Sequence, residues 1–337
     1  MRLRLIILLG LLVQVALAAG QASCASGGSD SGGSSGDGGD DSTVVEGGPS
    51  DGGKKDSAPI VDASVSKACA DNATSYCNQL SMCSPYLLSV QYGDVPTCQT
   101  QLSGAYCTDI VTAKGSGWTG AGLEACVAAR QALPCQDFLY GKPAPAACRP
   151  TGTLPMGACR YDTQCGSGYC SIPAGMMCGN CVTLGISGQV CATLADCDGN
   201  LVCSGMNRCV APAPTGGMCD PMTMPCANGM QCINGKCAVG GMANASCDPD
   251  SGIGCDPNLG VYCSSGTCSA ITVAMVGSPC GISPPPPAVC YGGGSCVAGS
   301  CVPPIADGQP CEGGVDCTSP STCNSGTCGL FLASQCH

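Results

Sequence analysis

Cysteine dominates this sequence and recurs in it at fixed spacing. The chain of 337 residues contains 35 cysteines, and one short pattern occurs four times: CINGKC (232–237), CSSGTC (263–268), CVAGSC (296–301) and CNSGTC (323–328). Each hexapeptide predicts a tight β-hairpin, because glycine at the second turn position adopts φ > 0 at low steric cost. The flanking cysteines then lie opposite each other on one face. That face has no large apolar residue to bury, so we expect the sulfur atoms to stabilise it.

The hairpins belong to a longer repeat. After Pro150, cysteines fall into groups whose internal gaps centre on five, five and four residues: 191-197-203-209, 219-226-232-237, 247-255-263-268, 280-290-296-301 and 311-317-323-328. A Gly or Asn precedes the first cysteine by two or three positions: Gly157, Gly188, Gly216, Asn244, Gly277 and Gly308. A period of roughly 28–33 residues predicts tandem modules. Each is too small for an apolar core, so each disulfide stabilises it by about 2–3 kcal/mol through restriction of the unfolded chain.

Composition supports a disulfide scaffold rather than an ordinary globular core. The chain has 51 Gly and 25 Pro but only 2 Phe, 1 Trp and 9 Tyr. Cysteine this frequent requires an oxidising compartment, because cytosolic thiols are kept reduced. The net charge of −11 provides no basic patch for nucleic acid and no electrostatic attraction to anionic lipid.

The N-terminus predicts export. Residues 1–23 combine two arginines with an apolar run and then small residues, which is typical of a signal peptide and too short for a stable membrane span. Two processing sites remain open. ALA (16–18) suits simple cleavage, whereas QASC (21–24) resembles the lipobox of bacterial lipoproteins, which implies lipidation of Cys24. Removing Cys24 from the odd total leaves 34 cysteines, enough for 17 disulfides.

Two further segments precede the repeats. Residues 24–65 are rich in Gly, Ser and Asp and predict a disordered tether, because they cannot bury enough apolar surface to fold. Residues 66–150 contain eight cysteines and predict a helical domain with four disulfides. One helical face carries Cys69, Ala73, Tyr76, Cys77, Leu80 and Cys83. Ser84 with Pro85, Asp94 with Pro96, and Thr119 are the expected helix starts, and the Asp94 helix is expected to run through Cys107.

One stretch of the repeats resembles a known family. The segment CRYDTQCGSGYCSIPAGMMCGNCVTLGISGQVCATLADCDGNLVCSGMNRC (159–209) is similar to the N-terminal cysteine-rich domain of the Dickkopf proteins. Nine cysteines carry the match: Cys159, Cys165, Cys170, Cys178, Cys181, Cys191, Cys197, Cys203 and Cys209. The family's vicinal Cys-Cys pair, its basic residues between the halves and its Asn-x-Ile receptor motif have no counterpart here. The resemblance therefore implies structural disulfides at these positions and a fold for 157–210, without implying the signalling function.

Taken whole, the chain is similar to cysteine-rich surface lipoproteins of Gram-negative bacteria. The predicted fold class is small and disulfide-rich: a helical disulfide-bonded domain followed by tandem short β-hairpin modules. The modules comprise a Dickkopf-like pair (157–210) and four further repeats (216–336). Because the linkers between modules are rich in Gly and Pro, we expect the modules to form an elongated chain.

Metal and redox chemistry find little support in the sequence. Structural zinc sites pair C-x2-C knuckles or combine them with His, but the chain has one C-x2-C, Cys178 and Cys181, and a single His, His337. The same C-x2-C is the one candidate redox pair. Calcium is an alternative for CDPDSGIGCDPN (247–258), since carboxylates and carbonyls suit that ion. We predict no metal and no cofactor.

Catalysis is likewise not predicted. A nucleophile activated by His needs a buried, oriented imidazole, and His337 is the last residue. The expected function is a non-catalytic interaction, adhesion or structural scaffold, secreted or anchored to the outer membrane through a lipid. Its partner would be a surface protein or a glycan. An extracellular enzyme with an unrecognised site and a passive surface spacer are the alternatives.

Overall fold

The computed structural model describes residues 63–140, 145–173, 176–192, 197–198, 201–227, 230–248, 254–282, 286–312 and 317–336. This described part has the expected fold class, a helical unit followed in tandem by short strands that mostly form two-stranded antiparallel hairpins. The exceptions are a three-stranded sheet within 158–181 and a parallel pair of strands, Thr272–Ala274 with Ala288–Cys290. All 34 cysteines from Cys69 to Cys336 are paired, in 17 disulfides. The predicted signal peptide, Cys24 and the tether as far as residue 62 lie outside the described residues.

Six α-helices in the described chain form the helical unit (63–148). They are α1 (Ala63–Cys83), α2 (Pro85–Gln91), α3 (Val95–Ser103), α4 (Ala105–Thr112), α5 (Gly120–Gln131) and α6 (Cys135–Leu139), followed by a 3-10 turn at Ala146–Cys148. Among the described residues, none of the helices combines the length and the apolar run that a membrane crossing requires.

The predicted helix starts are observed. The capping bonds run from Leu87 N to Ser84 Oγ (3.0 Å), from Thr97 N to Asp94 Oδ1 (2.8 Å) and from Gly122 N to Thr119 Oγ1 (3.0 Å). Each satisfies a backbone N–H that would otherwise lack a partner in the first helical turn. One boundary differs from the prediction. The helix expected to run through Cys107 divides at Gly104, whose extended ψ of −142° ends α3 and begins α4.

The helical unit has an apolar core that disulfides crosslink. Its buried side chains form two clusters, around Trp118, Ile110 and Leu123 and around Leu80, Leu88 and Leu102. The predicted face of α1 is buried, with Cys69, Ala73 and Cys77 fully inaccessible. Four disulfides connect the helices: Cys69–Cys107, Cys77–Cys98, Cys83–Cys135 and Cys126–Cys148, spanning 21 to 52 residues.

Six modules follow in the described chain, numbered 1 to 6 by their cysteines: 159–181, 191–209, 219–237, 247–268, 280–301 and 311–328. Their strands are β1 (Ala158–Cys159), β2 (Cys170–Ser171), β3 (Gly179–Cys181), β4 (Val202–Cys203), β5 (Cys209–Val210), β6 (Met230–Ile233), β7 (Lys236–Val239), β8 (Val261–Ser264), β9 (Thr267–Ala270), β10 (Thr272–Ala274), β11 (Ala288–Cys290), β12 (Ser295–Val297), β13 (Ser300–Val302), β14 (Thr322–Asn324) and β15 (Thr327–Gly329). Short 3-10 turns lie at Asp162–Gln164, Pro257–Leu259, Tyr291–Gly293 and Ala333–Gln335.

The hairpins have the predicted register and turn. In module 3, β6 pairs antiparallel with β7 so that Cys232 lies opposite Cys237. The two turn residues, Asn234 and Gly235, both have positive φ, 50° and 72°. This is the turn geometry that matches the right-handed twist of the strands. Modules 4, 5 and 6 repeat both features.

Each module is held by two crossed disulfides. The third and fourth cysteines lie opposite each other in the hairpin but are not bonded to each other. Instead, the first cysteine of the module bonds to the third and the second bonds to the fourth. In module 2 these bonds are Cys191–Cys203 and Cys197–Cys209. In module 1, which has five cysteines, they are Cys159–Cys170 and Cys165–Cys181. Within modules the bonds span only 11 to 16 residues.

The Gly or Asn that opens each module has a structural role. In modules 2 to 6 its backbone N–H donates to the carbonyl of the fourth cysteine, as from Gly216 to Cys237 at 2.7 Å. The position has a positive φ, 73° at Gly216 and 68° at Asn244. Space is not the reason for glycine here, because a Cβ at Gly216 would contact nothing within 4 Å. The positive φ at this position therefore explains why the sequence has Gly or Asn two or three residues before the first cysteine of each module.

The expected elongated chain of modules is not what the structure shows. Modules 1, 4 and 5 and the C-terminal segment pack against the helical unit. The ends of the repeat region also meet, because Cys178 of module 1 bonds to Cys336, 158 residues later. Thr322 of module 6 lies 3.9 Å from Met177 Sδ. The modules therefore form a closed loop on one helical support.

Candidate functional site

The clustered sulfur atoms of the modules belong to disulfides. In at least five groups of three cysteines among the described residues, the sulfurs lie within 4.8 Å of one another, as for Cys191, Cys197 and Cys209. Zinc binding requires thiolates, and each of these sulfurs is already bonded to another sulfur. The clusters thus form the interior of each module, where they replace the apolar side chains that the sequence lacks.

The C-x2-C segment does not form a redox pair. Cys178 bonds to Cys336 and Cys181 bonds to Cys165. The nine cysteines that carry the Dickkopf resemblance are all in disulfides, eight of them within modules 1 and 2. Cys178 differs from the other eight because its partner lies at the far end of the repeats.

The structure describes two aspartates of the candidate calcium segment: Asp248, which is exposed, and Asp256, which serves the backbone. Asp256 is 2% exposed and begins the 3-10 turn Pro257–Leu259, where its Oδ1 accepts the backbone N–H of Asn258 at 2.9 Å. Burial raises the pKa of this carboxyl, although its backbone hydrogen bonds act in the opposite direction. Such a carboxylate acts as a turn cap. Asp250, the third aspartate of the segment, lies outside the described residues, as does His337.

Asp162 in module 1 has the same role. Its Oδ1 accepts the backbone N–H of Cys170 at 2.8 Å, which ties the module's 3-10 turn to β2. Burial raises the pKa of this carboxyl as well. A raised carboxyl pKa in a cleft would suggest acid-base chemistry, but this carboxylate is engaged by the adjacent strand, and its position is explained by the fold.

Asp109 of α4 joins three parts of the chain. Its Oδ2 accepts the Tyr161 hydroxyl of module 1 at 2.7 Å and the backbone N–H of Ala333 in the C-terminal segment at 2.8 Å. Burial raises the pKa of Tyr161, and its hydrogen bond to Asp109 raises it further. The phenol therefore stays protonated and donates to the carboxylate. Sequence reasoning did not identify this contact, because its members are 52 and 224 residues apart.

The contacts of modules 4 and 5 with α2 are equally specific. Ser84, which caps α2, donates its hydroxyl to the carbonyl of Asn258. The Tyr86 ring covers Gly260, where an added Cβ would lie 2.3 Å from ring carbons. The ring of Tyr291 covers Gly93 in the same way, at 2.7 Å. Since glycine is required at both points of contact, these two modules have a defined position on the helical unit.

The outer surface of the modules has the features expected of a binding surface. Among the described residues, large exposed apolar side chains are concentrated at and after Met156, with only Met82 on the helical unit. They are Met156, Ile172, Met176, Val182, Ile186, Val190, Met206, Met218, Met222, Met224, Met242, Met275, Val276, Ile282 and Val297. Exposed apolar groups on a rigid backbone can bind apolar surfaces of other molecules. No pattern in the sequence predicted this surface.

The comparisons with known proteins give no relative. No family model matches the chain, and neither the curated proteins nor the solved structures contain a significant match. The resemblance of 159–209 to the Dickkopf domain therefore stays a prediction. The dense disulfides indicate an extracellular, disulfide-stabilised protein.

Proposed function

We propose that this protein is a non-catalytic interaction scaffold of the cell surface, which binds its partner through the outer faces of the modules. The observation that carries the proposal is the combination of a covalently constrained backbone with exposed apolar side chains. Every module has two disulfides within 23 residues of chain or fewer. Exposed side chains such as Met218 (76%) and Val190 (71%) are next to the first cysteine of their modules.

This arrangement lowers the cost of binding. A flexible loop must be ordered when it binds, which costs about 0.5–1.5 kcal/mol for each immobilised side chain and more for its backbone. A backbone fixed by crossed disulfides is already ordered. The outer faces are therefore suited to recognise a protein or a glycan, and the helical unit fixes the relative position of modules 1, 4 and 5.

The alternative of an extracellular enzyme has weaker support. Catalytic groups act on a rigid site that excludes water and holds acid, base or nucleophile together. Among the described residues, the Asp162 carboxylate accepts the backbone N–H of Cys170, the buried Asp256 caps a turn, and the cysteines are in disulfides. The proposed function accordingly includes no catalytic step.

Photocrosslinking of the mature full-length chain tests the proposal. A photoreactive residue replaces exposed Val276 of the module surface in one variant and exposed Met82 of the helical unit in the matched control. Illumination of intact cells should yield a saturable product with one envelope component from position 276 and none from position 82. Equal products from both positions, or none from either, would contradict the interaction function and favour the passive spacer.

We also propose that Cys24 is lipidated and anchors the scaffold in the outer membrane. The support is cysteine parity: the 34 cysteines from Cys69 onward pair completely with one another, which leaves Cys24 without a disulfide partner among them. Cys24→Ala should release the protein from the membrane fraction or arrest its maturation. Unchanged fractionation together with a mature N-terminus at Ala19 would favour simple secretion.

A further inference from the structure

Methionines are concentrated where modules 2 and 3 meet. Five of the chain's 12 methionines lie within 206–230: Met206, Met218, Met222, Met224 and Met230. The first four are 61%, 76%, 54% and 42% exposed. Methionine is usually buried, so a concentration of exposed thioethers at one joint is unusual.

Three of these methionines come from two adjoining turns. In module 3, residues 220–224 form a closed turn, since Asp220 N donates to Met224 O (3.0 Å) and Met224 N donates to Asp220 O (2.8 Å). The Asp220 carboxylate fixes the turn further by accepting Met222 N at 2.8 Å. The hairpin turn of module 2 docks on it, with Met206 N donating to Met222 O at 3.2 Å.

The side chain of Met222 extends towards module 2. Its Sδ lies so close to Gly205 that a Cβ added there would be 2.8 Å from the sulfur. Gly205 directly precedes Met206, so the thioether of Met222 lies beside the backbone from which the Met206 side chain departs. Met224 projects from the same closed turn, two residues after Met222. One joint between two disulfide-fixed modules thus carries three thioethers.

The chemistry of this group suits a soft monovalent cation. Thioether and thiolate sulfur select Cu(I) over harder metals. In a chain whose thiols from Cys69 onward are all oxidised to disulfides, thioethers are the soft ligands that remain. They are neutral and need no deprotonation to bind a metal. The net charge of −11 favours the approach of a cation.

We propose that Met206, Met222 and Met224 form a binding site for Cu(I), with Ag(I) as a redox-inert equivalent. The site is independent of the interaction function proposed above, because binding requires only the joint between modules 2 and 3. It differs from the sulfur clusters inside the modules, whose atoms are in disulfides.

Metal titration of the mature full-length chain tests the site. Silver nitrate is added in chloride-free buffer and followed by calorimetry and by NMR of 13C-methyl-labelled methionine. We expect three methyl resonances to shift together and to saturate at one equivalent. Cu(I), supplied under argon as its acetonitrile complex so that no reductant is needed, should shift the same resonances.

Methionine-to-leucine variants distinguish binding at this site from nonspecific binding to exposed methionines. Met206→Leu, Met222→Leu and Met224→Leu, each conserving side-chain volume, should each weaken Ag(I) binding by at least about tenfold, since even the loss of a group that only orients a ligand typically costs about 10- to 100-fold. The control variant Met156→Leu/Met242→Leu/Met275→Leu removes three exposed methionines elsewhere and should bind as the unaltered chain does. Thiol titration shows whether each variant retains its disulfides. Equal affinity of the single variants and the control, or unsaturable shifts of all methionines, would overturn the proposal.

Discussion

The helical unit and the modules use disulfides in opposite ways. In the helical unit, Leu80, Trp118 and Leu123 form an apolar interior, and disulfides link helices that already pack together. In the modules the interior is the cystines themselves, with few other buried groups, such as Val202 in module 2 and Val261 in module 4. The difference teaches that disulfides can reinforce a core in one region and replace it in another.

Removing the disulfides of a module should have the largest effect. Replacing Cys247, Cys255, Cys263 and Cys268 by Ala deletes two bonds that close loops of 16 and 13 residues, each contributing about 3 kcal/mol. We expect β8 and β9 to lose hydrogen-exchange protection while α1 keeps it. The matched variant Cys77→Ala/Cys98→Ala should leave α1 and α3 protected, because their apolar contacts remain. Protection of β8 and β9 without their cystines would show that the module has another core.

A substitution in the apolar core of the helical unit tests whether that region depends on packing as well as on disulfides. Leu123 is fully buried in the helical unit, so Leu123→Ala should lower the free energy of unfolding by about 2–5 kcal/mol through lost burial and a cavity. Met82→Ala, at a 72% exposed position, should change it by less than about 0.5 kcal/mol. Denaturant unfolding with disulfides intact measures both. A small effect at Leu123 would mean that disulfides, rather than apolar packing, also stabilise this region.

The interface between the two regions can be tested at Ser84. Ser84→Ala removes the cap of α2 and the hydroxyl that donates to Asn258 of module 4. We expect the free energy of unfolding to fall by about 1–2 kcal/mol, within the range for lost caps, and amide hydrogen exchange to become faster at Asn258 and Leu259 of the 3-10 turn. Thr119→Ala removes a comparable cap on α5 and should leave exchange in module 4 unchanged. Identical exchange profiles in the two variants would contradict the proposed role of Ser84 at the interface.

The smallest effect concerns pH. Because burial raises the pKa of Asp162, its contribution to stability is complete below the ordinary carboxyl pKa and is lost as pH rises through the raised value. Asp162→Asn keeps an acceptor for Cys170 N. The stability of this variant relative to the unaltered chain should therefore increase as pH rises from the ordinary carboxyl pKa to the raised one.

Asp94 provides the opposite case: hydrogen bonds from Thr97 lower its pKa. The relative stability of Asp94→Asn should therefore decrease as pH rises. Denaturant midpoints measured from pH 3 to pH 7 give the change of relative stability with pH for both variants. A change of the same sign in both variants would contradict the opposite pKa shifts of Asp162 and Asp94.

Local chemistry made much of this fold predictable from sequence. Helix caps at Ser84, Asp94 and Thr119 follow from side-chain oxygens, and the hairpins follow from residues that tolerate positive φ. Crossed pairing within modules was not predicted, because four cysteines allow three connectivities. One long-range pairing has a partial sequence signal. Module 1 has one cysteine more than the others and Cys336 belongs to no module, so elimination pairs Cys336 with one of the five cysteines of module 1, which the structure shows to be Cys178.

The placement of the modules and the candidate surface were not predictable in this way. Asp109, Tyr161 and Ala333 meet only because the chain returns to the helical unit, and no periodic pattern records that return. The exposed methionines were also missed. Composition counts methionine as apolar and therefore as a core residue, whereas a module filled by cystines has no room for it.

The closed pairing of Cys178 with Cys336 determines how this protein responds to a protease. A single cut at any point between these cysteines leaves both pieces covalently joined, and the helical unit is spanned without a gap by its own four disulfides from Cys69 to Cys148. Between Cys69 and Cys336, only the segment between Cys148 and Cys159 is spanned by no disulfide. There the backbone is held between both regions, with Gly152 N bonded to Cys165 O and Thr153 N bonded to Gly115 O. Between Cys69 and Cys336, the one place where a single cut could divide the chain is thus held by backbone hydrogen bonds to both regions, which hinder its entry into a protease. A chain cut once elsewhere in that range stays in one piece.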